Sequence, residues 1–427
     1  MDKQCTAKKI LNMKKIIPFL FLLLSFNAMA QNIDYANAKV DYTRLPLTPV
    51  NKSVKNYQVL MLADYLQKIE KQKTEYAGST AKAETDYQLA IKQYWTKRKQ
   101  DSLAYESSLN VWFRLTPEQQ AVTPRPQMVQ AAPPVKNGAQ EPLYEKIFNT
   151  DLLGTTYIKL DGFARLPEKA LILQFNLTGF EYDEPKAATQ KKQIKKADGK
   201  TVDSTVFVYQ FNYRHIVKLK IIQPDGKFLS DEAYGPSLNF STYSSKHFFT
   251  AAEADNYWKT AKASEITAVQ DKIVVDNLKA INEMLNSNYG YTPTSRNVMI
   301  GYVNEKKLYD DFKEALNNAK NGYTMIGKPE TNAQGEEYLR KAITTWETAM
   351  KESNPKNKKA RIDEDVTECL LMDLSEAYIW LNDFTKAQEY LTKLDAFKLS
   401  AKEKNIKNGS RAFLNEQIPR YNVNKAN

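Results

Sequence analysis

Cysteine and histidine are nearly missing from this chain of 427 residues, which holds two of each. Cys5 falls in a leading stretch that reads as a cleavable export signal, so Cys369 is left alone and no intramolecular disulfide is expected. One thiol with His215 and His247 is too small a set for a zinc site of the usual ligand types. Glycine numbers 14, with no glycine-rich phosphate loop, and the GxSxG and HExxH patterns are also lacking. These absences exclude the commonest nucleotide-binding, serine-hydrolase and zinc-protease signatures. No cofactor is implied by what remains.

The leader has three parts in the expected order. Lys14 and Lys15 precede an apolar run from Ile16 to Phe26, and Ala28-Met29-Ala30 supplies small residues one and three positions before a cut. The run is too short for a comfortable membrane span. Residues 1–30 therefore read as a signal peptide with Gln31 as the first mature residue, and no cysteine follows to carry a lipid. Five basic and one acidic side chain go with the leader, so the overall +11 falls to about +7. An excess that mild suits solubility, and nucleic acid is not an expected partner. The length is enough for two or three cores.

In chain order, residues 31–59 carry Pro46 and Pro49 and read as an extended edge segment. Residues 60–115 turn helical, with Met61, Tyr65, Leu66 and Ile69, then Tyr87, Ala90, Ile91, Tyr94 and Trp95, on periodic faces. Gly78-Ser79 is the expected break that folds them into a hairpin; the alternative is one helix of about 80 Å. Residues 116–142 hold six prolines and read as a linker. Residues 143–304 read as an α+β domain starting strands near Thr155. There Leu171 to Leu177 alternates, a bulge at Thr178-Gly179 shifts the pattern, and Phe207 to Ile221 forms a long half-buried strand. An amphipathic helix from Asp271 to Leu285 and a short strand, Val298 to Val303, complete it. The fold class expected is thus α+β: an N-terminal helical hairpin, a central antiparallel sheet covered by a helix, and a C-terminal helical domain over residues 305–420, with a polar tail at 421–427.

In that last domain Leu371, Leu374, Ser375 and Tyr378 recur at helical spacing, Asn382-Asp383 interrupts, and Ala387, Leu391 and Leu394 resume. The spacing resembles one tetratricopeptide repeat, with Ser375 and Leu394 departing from that pattern's small residues. Tyr309 to Met350, with Ala342, Trp346 and Ala349 after a loop holding Gly327, Pro329 and Gly335, is a weaker second copy. The resemblance implies paired helices with a concave surface for a protein partner. Leu374, Tyr378, Ala387, Leu391 and Trp346 are the residues it assigns to partner binding or packing. The layout as a whole resembles uncharacterised secreted bacterial envelope proteins.

No residue set stands out as catalytic or metal-binding. His215 continues the apolar face of the long strand and reads as a core histidine; His247 is open to either reading. Cys369, beside an apolar stripe, reads as a packed thiol. Acidic pairs Asp310-Asp311 and Glu336-Glu337 read as solvent-facing. Lys186, Lys191, Lys192, Lys195, Lys196 and Lys200 are the densest charge feature. They serve solubility and edge protection on one reading. On the other, Lys191, Lys192, Lys195 and Lys196 dock weakly on anionic lipid or glycan. The expectation is a non-catalytic envelope scaffold or binding protein, periplasmic, outer-membrane-associated or secreted, that engages another envelope protein. The alternative is a carbohydrate-active or hydrolytic enzyme with carboxylates meeting in a cleft between domains.

Overall fold

Two interleaved units make up this mixed α and β chain, seen in a computed structural model that describes residues 33–195, 199, 201–303 and 308–426. The expected signal peptide lies outside the described residues. Among the described residues, one unit gathers 33–55, 160–164, 283–303 and 308–426, and the other lies within 56–159 and 165–282. The consecutive domains expected from composition are therefore corrected: the N-terminal segment belongs with the C-terminal helices. The reason is strand pairing across the length of the chain. Strand β1 (Ile33–Arg44) runs antiparallel to β8 (Thr292–Val303) in unbroken register from Ile33 opposite Val303 to Arg44 opposite Thr292. Ala38, Val40, Val298 and Ile300 are buried there.

In the unit of residues 56–159 and 165–282, β2 (Asn56–Ala63) is parallel to β3 (Ala170–Tyr182), and the other pairs are antiparallel. The long β5 (Thr201–Ile222) is the spine. On one edge it pairs first with β4 (Lys186–Lys195) and then with β3. On the other it pairs with β7 (Ser241–Ser244) and β6 (Phe228–Ala233). The register shift between Leu177 and Phe180 is the bulge read from the sequence, and Gly179 there has φ +117°, a value that favours glycine. Leu60–Ala63 is strand where helix was expected, because alternate burial against β3 outweighs a short helical period.

Helix α1 (Leu66–Phe113) is continuous for 48 residues, about 72 Å at 1.5 Å per residue, which corrects the hairpin. Gly78 is a single mid-helix glycine costing about 1 kcal/mol, too little to break so long a run. The proline-rich stretch is also not featureless. Thr116 caps the short α2 (Pro117–Val122) in a reciprocal capping box with Gln119. The segment beyond it lies against α1, where Tyr94 donates to the Ala131 carbonyl (3.3 Å) and Lys136 pairs with Glu84 (2.5 Å). Helix α3 (Thr150–Tyr157), capped by Asn149, stands where strand was expected. Helix α4 (Ala251–Asn288) starts twenty residues before the expected Asp271. That added length supplies Trp258, Ile266 and Val269, packed with Phe180 and Phe211 of the sheet.

The other unit builds its core from five helices, α5 (Asp310–Met325), α6 (Asn332–Met350), α7 (Glu364–Trp380), α8 (Phe384–Lys393) and α9 (Ala401–Ala426), together with β1 and β8. Gly335 is inside α6, not in the loop. It and Gly322 let α5 and α6 touch main chain to main chain: a Cβ on Gly335 would sit 2.6 Å from the Ile326 nitrogen and 3.0 Å from the Gly322 oxygen. Asn382 takes φ +58° between α7 and α8, and Asp363 and Asp383 cap these two helices through the Val366 and Lys386 amides. The expected polar tail continues α9 to Ala426.

Candidate functional site

Helix α7 is buried on every side from Val366 to Ile379, charged residues included. Helix α6 covers one flank, where the Tyr378 hydroxyl donates to Glu347 (2.5 Å) and receives Lys386 (2.8 Å). Burial alone would raise the Glu347 pKa, but hydrogen bonds from Tyr378 and Tyr390 outweigh it and hold the pKa low. Leu374, Tyr378, Ala387, Leu391 and Trp346 are all buried between helices, 0–5% exposed. They pack, and none offers a surface to a partner. Ser375, a departure from the repeat pattern, turns its hydroxyl onto the Met372 carbonyl of its own helix (2.8 Å).

The β1–β8 ribbon lies on α5 and α7, the first helices of the two pairs, and reaches α9 through side chains. Tyr42 meets Trp380 and Phe413 edge-on, and the Tyr35 hydroxyl reaches Glu403 (3.4 Å). Gly301 donates its N–H to the Asp373 carboxylate (3.0 Å), and Arg296 grips Glu376 through two nitrogens (2.8 and 3.0 Å). Glu376 also accepts from Trp380 Nε1 (3.1 Å) and Ser410 Oγ (2.6 Å). Burial opposes the Arg296 charge, yet the Glu376 hydrogen bonds win and raise its pKa. Burial likewise pushes the Asp373 pKa well up, against the Gly301 N–H, and pushes up the Cys369 thiol.

Beside this ion pair the ribbon, α7 and α9 leave a cavity of about 380 Å³. Arg296 to Met299 of β8 form one wall, Met372 and Glu376 the floor, and Lys402, Asn405, Ile406, Gly409 and Ser410 of α9 the other wall. Its only carboxylate, Glu376, has both oxygens occupied by donors. The cavity can hold a ligand, and Lys402 is the charged group on its lining that Arg296 and Glu376 leave over.

No known family, curated protein or solved structure matches this chain.

Sequence reasoning missed these residues. The available signal was Asp373 and Glu376, three apart on one face and set among Leu370, Leu371, Met372, Leu374 and Ala377, a placement that calls for buried partners. Among the described residues no cluster of His, Cys, Asp and Glu is arranged to hold a metal ion. Lys191, Lys192 and Lys195 are exposed on β4, which among the described residues pairs with β5 alone, and Lys196 lies outside the described residues. His247 is exposed. Asp311, expected to face solvent, pairs with Arg361.

The sheet-bearing unit has a second polar cluster. His215 is wholly buried, neither ring nitrogen has a hydrogen-bond partner among the described residues, and its Nε2 lies 3.8 Å from Glu145 Oε1. The Glu145 carboxylate enters the β3 bulge and accepts from the Phe180 N–H (2.6 Å); a Cβ on Gly179 would crowd it at 3.1 Å. Burial raises the Glu145 pKa to about 7, opposed by Phe180 and Lys68, and lowers that of His215 to about 4.

Proposed function

We propose that this is a non-catalytic binding protein of the cell envelope, exported by its leader, whose helical pairs form a tetratricopeptide-like platform for a protein partner. The cavity between β8, α7 and α9 carries this reading: it is a concave opening on a well-packed platform, lined by both apolar and polar side chains. Support for a repeat-like platform comes from the two helix pairs, the close glycine crossing and the buried positions Trp346, Tyr378 and Ala387. In such arrays a partner commonly lies along the concave face. Here the chain's own ribbon covers the first helices of the two pairs, so the partner is assigned to the cavity left beside it.

Gly409 gives a direct test. A Cβ built there meets nothing within 4 Å, so Gly409→Phe extends into open space without disturbing α9. The wild-type protein should retain an envelope protein that Gly409→Phe loses, and the purified pair should rebind with the same difference. Equal binding by both proteins would contradict the assignment.

A further inference from the structure

We propose that the cavity takes an extended, acidic peptide segment of the partner, added as a third strand to the free edge of β8. This deepens the reading of the cavity as a protein-binding site and rests on it.

The argument begins with Gly301. Its N–H is held by the Asp373 side chain of α7, so it points away from β1. Main-chain groups of a strand alternate between its two edges, and the β1–β8 register has no bulge. Asn297 and Met299, four and two residues earlier, therefore direct their N–H and C=O groups to that same outer edge. Both line the cavity. Among the described residues neither outward amide has an acceptor. Among the described residues the sheet holds these two strands, and no third strand pairs with the β8 edge along the cavity. Asp373 closes the edge at Gly301 and thereby marks one end of the open stretch.

Size and charge narrow the occupant. Four residues of β8, Arg296 to Met299, give about 13 Å of edge at 3.3 Å per residue, room for a strand of about four residues. Gly409 on the facing helix carries no side chain to fill the space. Arg296 and Glu376 neutralise each other, leaving Lys402 as the remaining charge on the lining. Lys402 is exposed, its ammonium lies 3.9 Å from the Tyr35 ring centroid, and among the described residues no carboxylate pairs with it. A carboxylate on the incoming segment complements it. Main-chain pairing would give the affinity and the Lys402 contact the preference, as in strand addition generally.

The test uses a capped six-residue peptide of alternating threonine and valine with one central aspartate, a twin carrying lysine at that position, and an aspartate peptide N-methylated at alternate amides. Amide hydrogen exchange is followed residue by residue in the full protein. Without peptide, Asn297 and Met299 should exchange quickly while Gly301 is protected. The aspartate peptide should slow both, N-methylation should weaken binding about tenfold through loss of two main-chain hydrogen bonds, and Lys402→Glu should reverse the preference between aspartate and lysine. Equal binding of the N-methylated peptide, or no binding of any peptide, overturns the proposal. So does protection of Asn297 and Met299 that grows with protein concentration alone, which would assign the edge to a second copy. If the partner still requires an unfilled cavity while N-methylation has no effect, strand addition fails and the binding site stands.

Discussion

Removing the Glu376 carboxylate should be far more damaging alone than together with its partner. Glu376 is 5% exposed at its side chain and Arg296 22%, and the pair shares two hydrogen bonds with Ser410 and Trp380 adding two more. Glu376→Leu leaves the guanidinium charged in a site where burial opposes it, and strips Ser410 and Trp380 of their acceptor. Breaking such a pair from one side costs about 3–5 kcal/mol. For a unit of this size that lowers the melting temperature by roughly 6–20 °C. Arg296→Met with Glu376→Leu removes both charges and should recover most of the loss, because Met keeps an aliphatic stem against Phe413, whose ring lies 4.4 Å from the Arg296 guanidinium carbon. Urea unfolding of the two single variants and the double gives the coupling directly. A double variant as unstable as the sum of the singles would refute the view that the charges are buried at each other's expense.

Three further outcomes are expected. Gly335→Ala should destabilise by about 1–3 kcal/mol, since its Cβ meets main chain of α5 and the following turn, whereas Gly78→Ala, in open space on α1, should raise helix stability by about 1 kcal/mol; circular dichroism melts distinguish them. Glu145 and His215 should give opposite pH slopes. The folded pKa of Glu145, about 7, lies above its unfolded value, so its contribution is present at low pH and is lost as pH rises towards 7. The folded pKa of His215, about 4, lies below its unfolded value, so its contribution is present above about pH 6.5 and is lost as pH falls towards 4. His215→Leu should therefore make stability fall from pH 5 to 7 relative to wild type, and Glu145→Gln should make it rise; urea midpoints of the same sign would contradict this. Cys369, 2% exposed, should react with thiol reagents only as the unit unfolds, and rapid native labelling would count against its packing.

The helix pair over residues 364–393 was legible because local signals agreed. Apolar spacing on both helices and the turn at Asn382-Asp383 all lie within thirty residues. The β3 bulge was legible for the same reason, as Gly179 sits where the alternation slips. The features that failed depend on distant partners. The helical period at Met61 to Ile69 gave no sign that β3 would claim Leu60–Ala63 as a strand, and Gly78 looked like a break because nothing nearby recorded the proline-rich segment packed along α1. The β1–β8 pairing joins residues 33–44 to residues 292–303, far apart in sequence, and a single strand's alternation does not name its neighbour. The cavity depends on that pairing: Arg296 lies outside the strand expected from Val298 to Val303, and only the ribbon sets it against Glu376.

The central claim is that partner contact occurs in the opening along β8 and not on the outer helical faces. A photo-crosslinking amino acid placed at Asn405, on the cavity wall, and separately at Glu389, exposed on α8, compares the two surfaces in the full chain. Crosslinks from position 405 that disappear with Gly409→Phe, and none from position 389, are the predicted result. Crosslinks from position 389 with position 405 silent would contradict it.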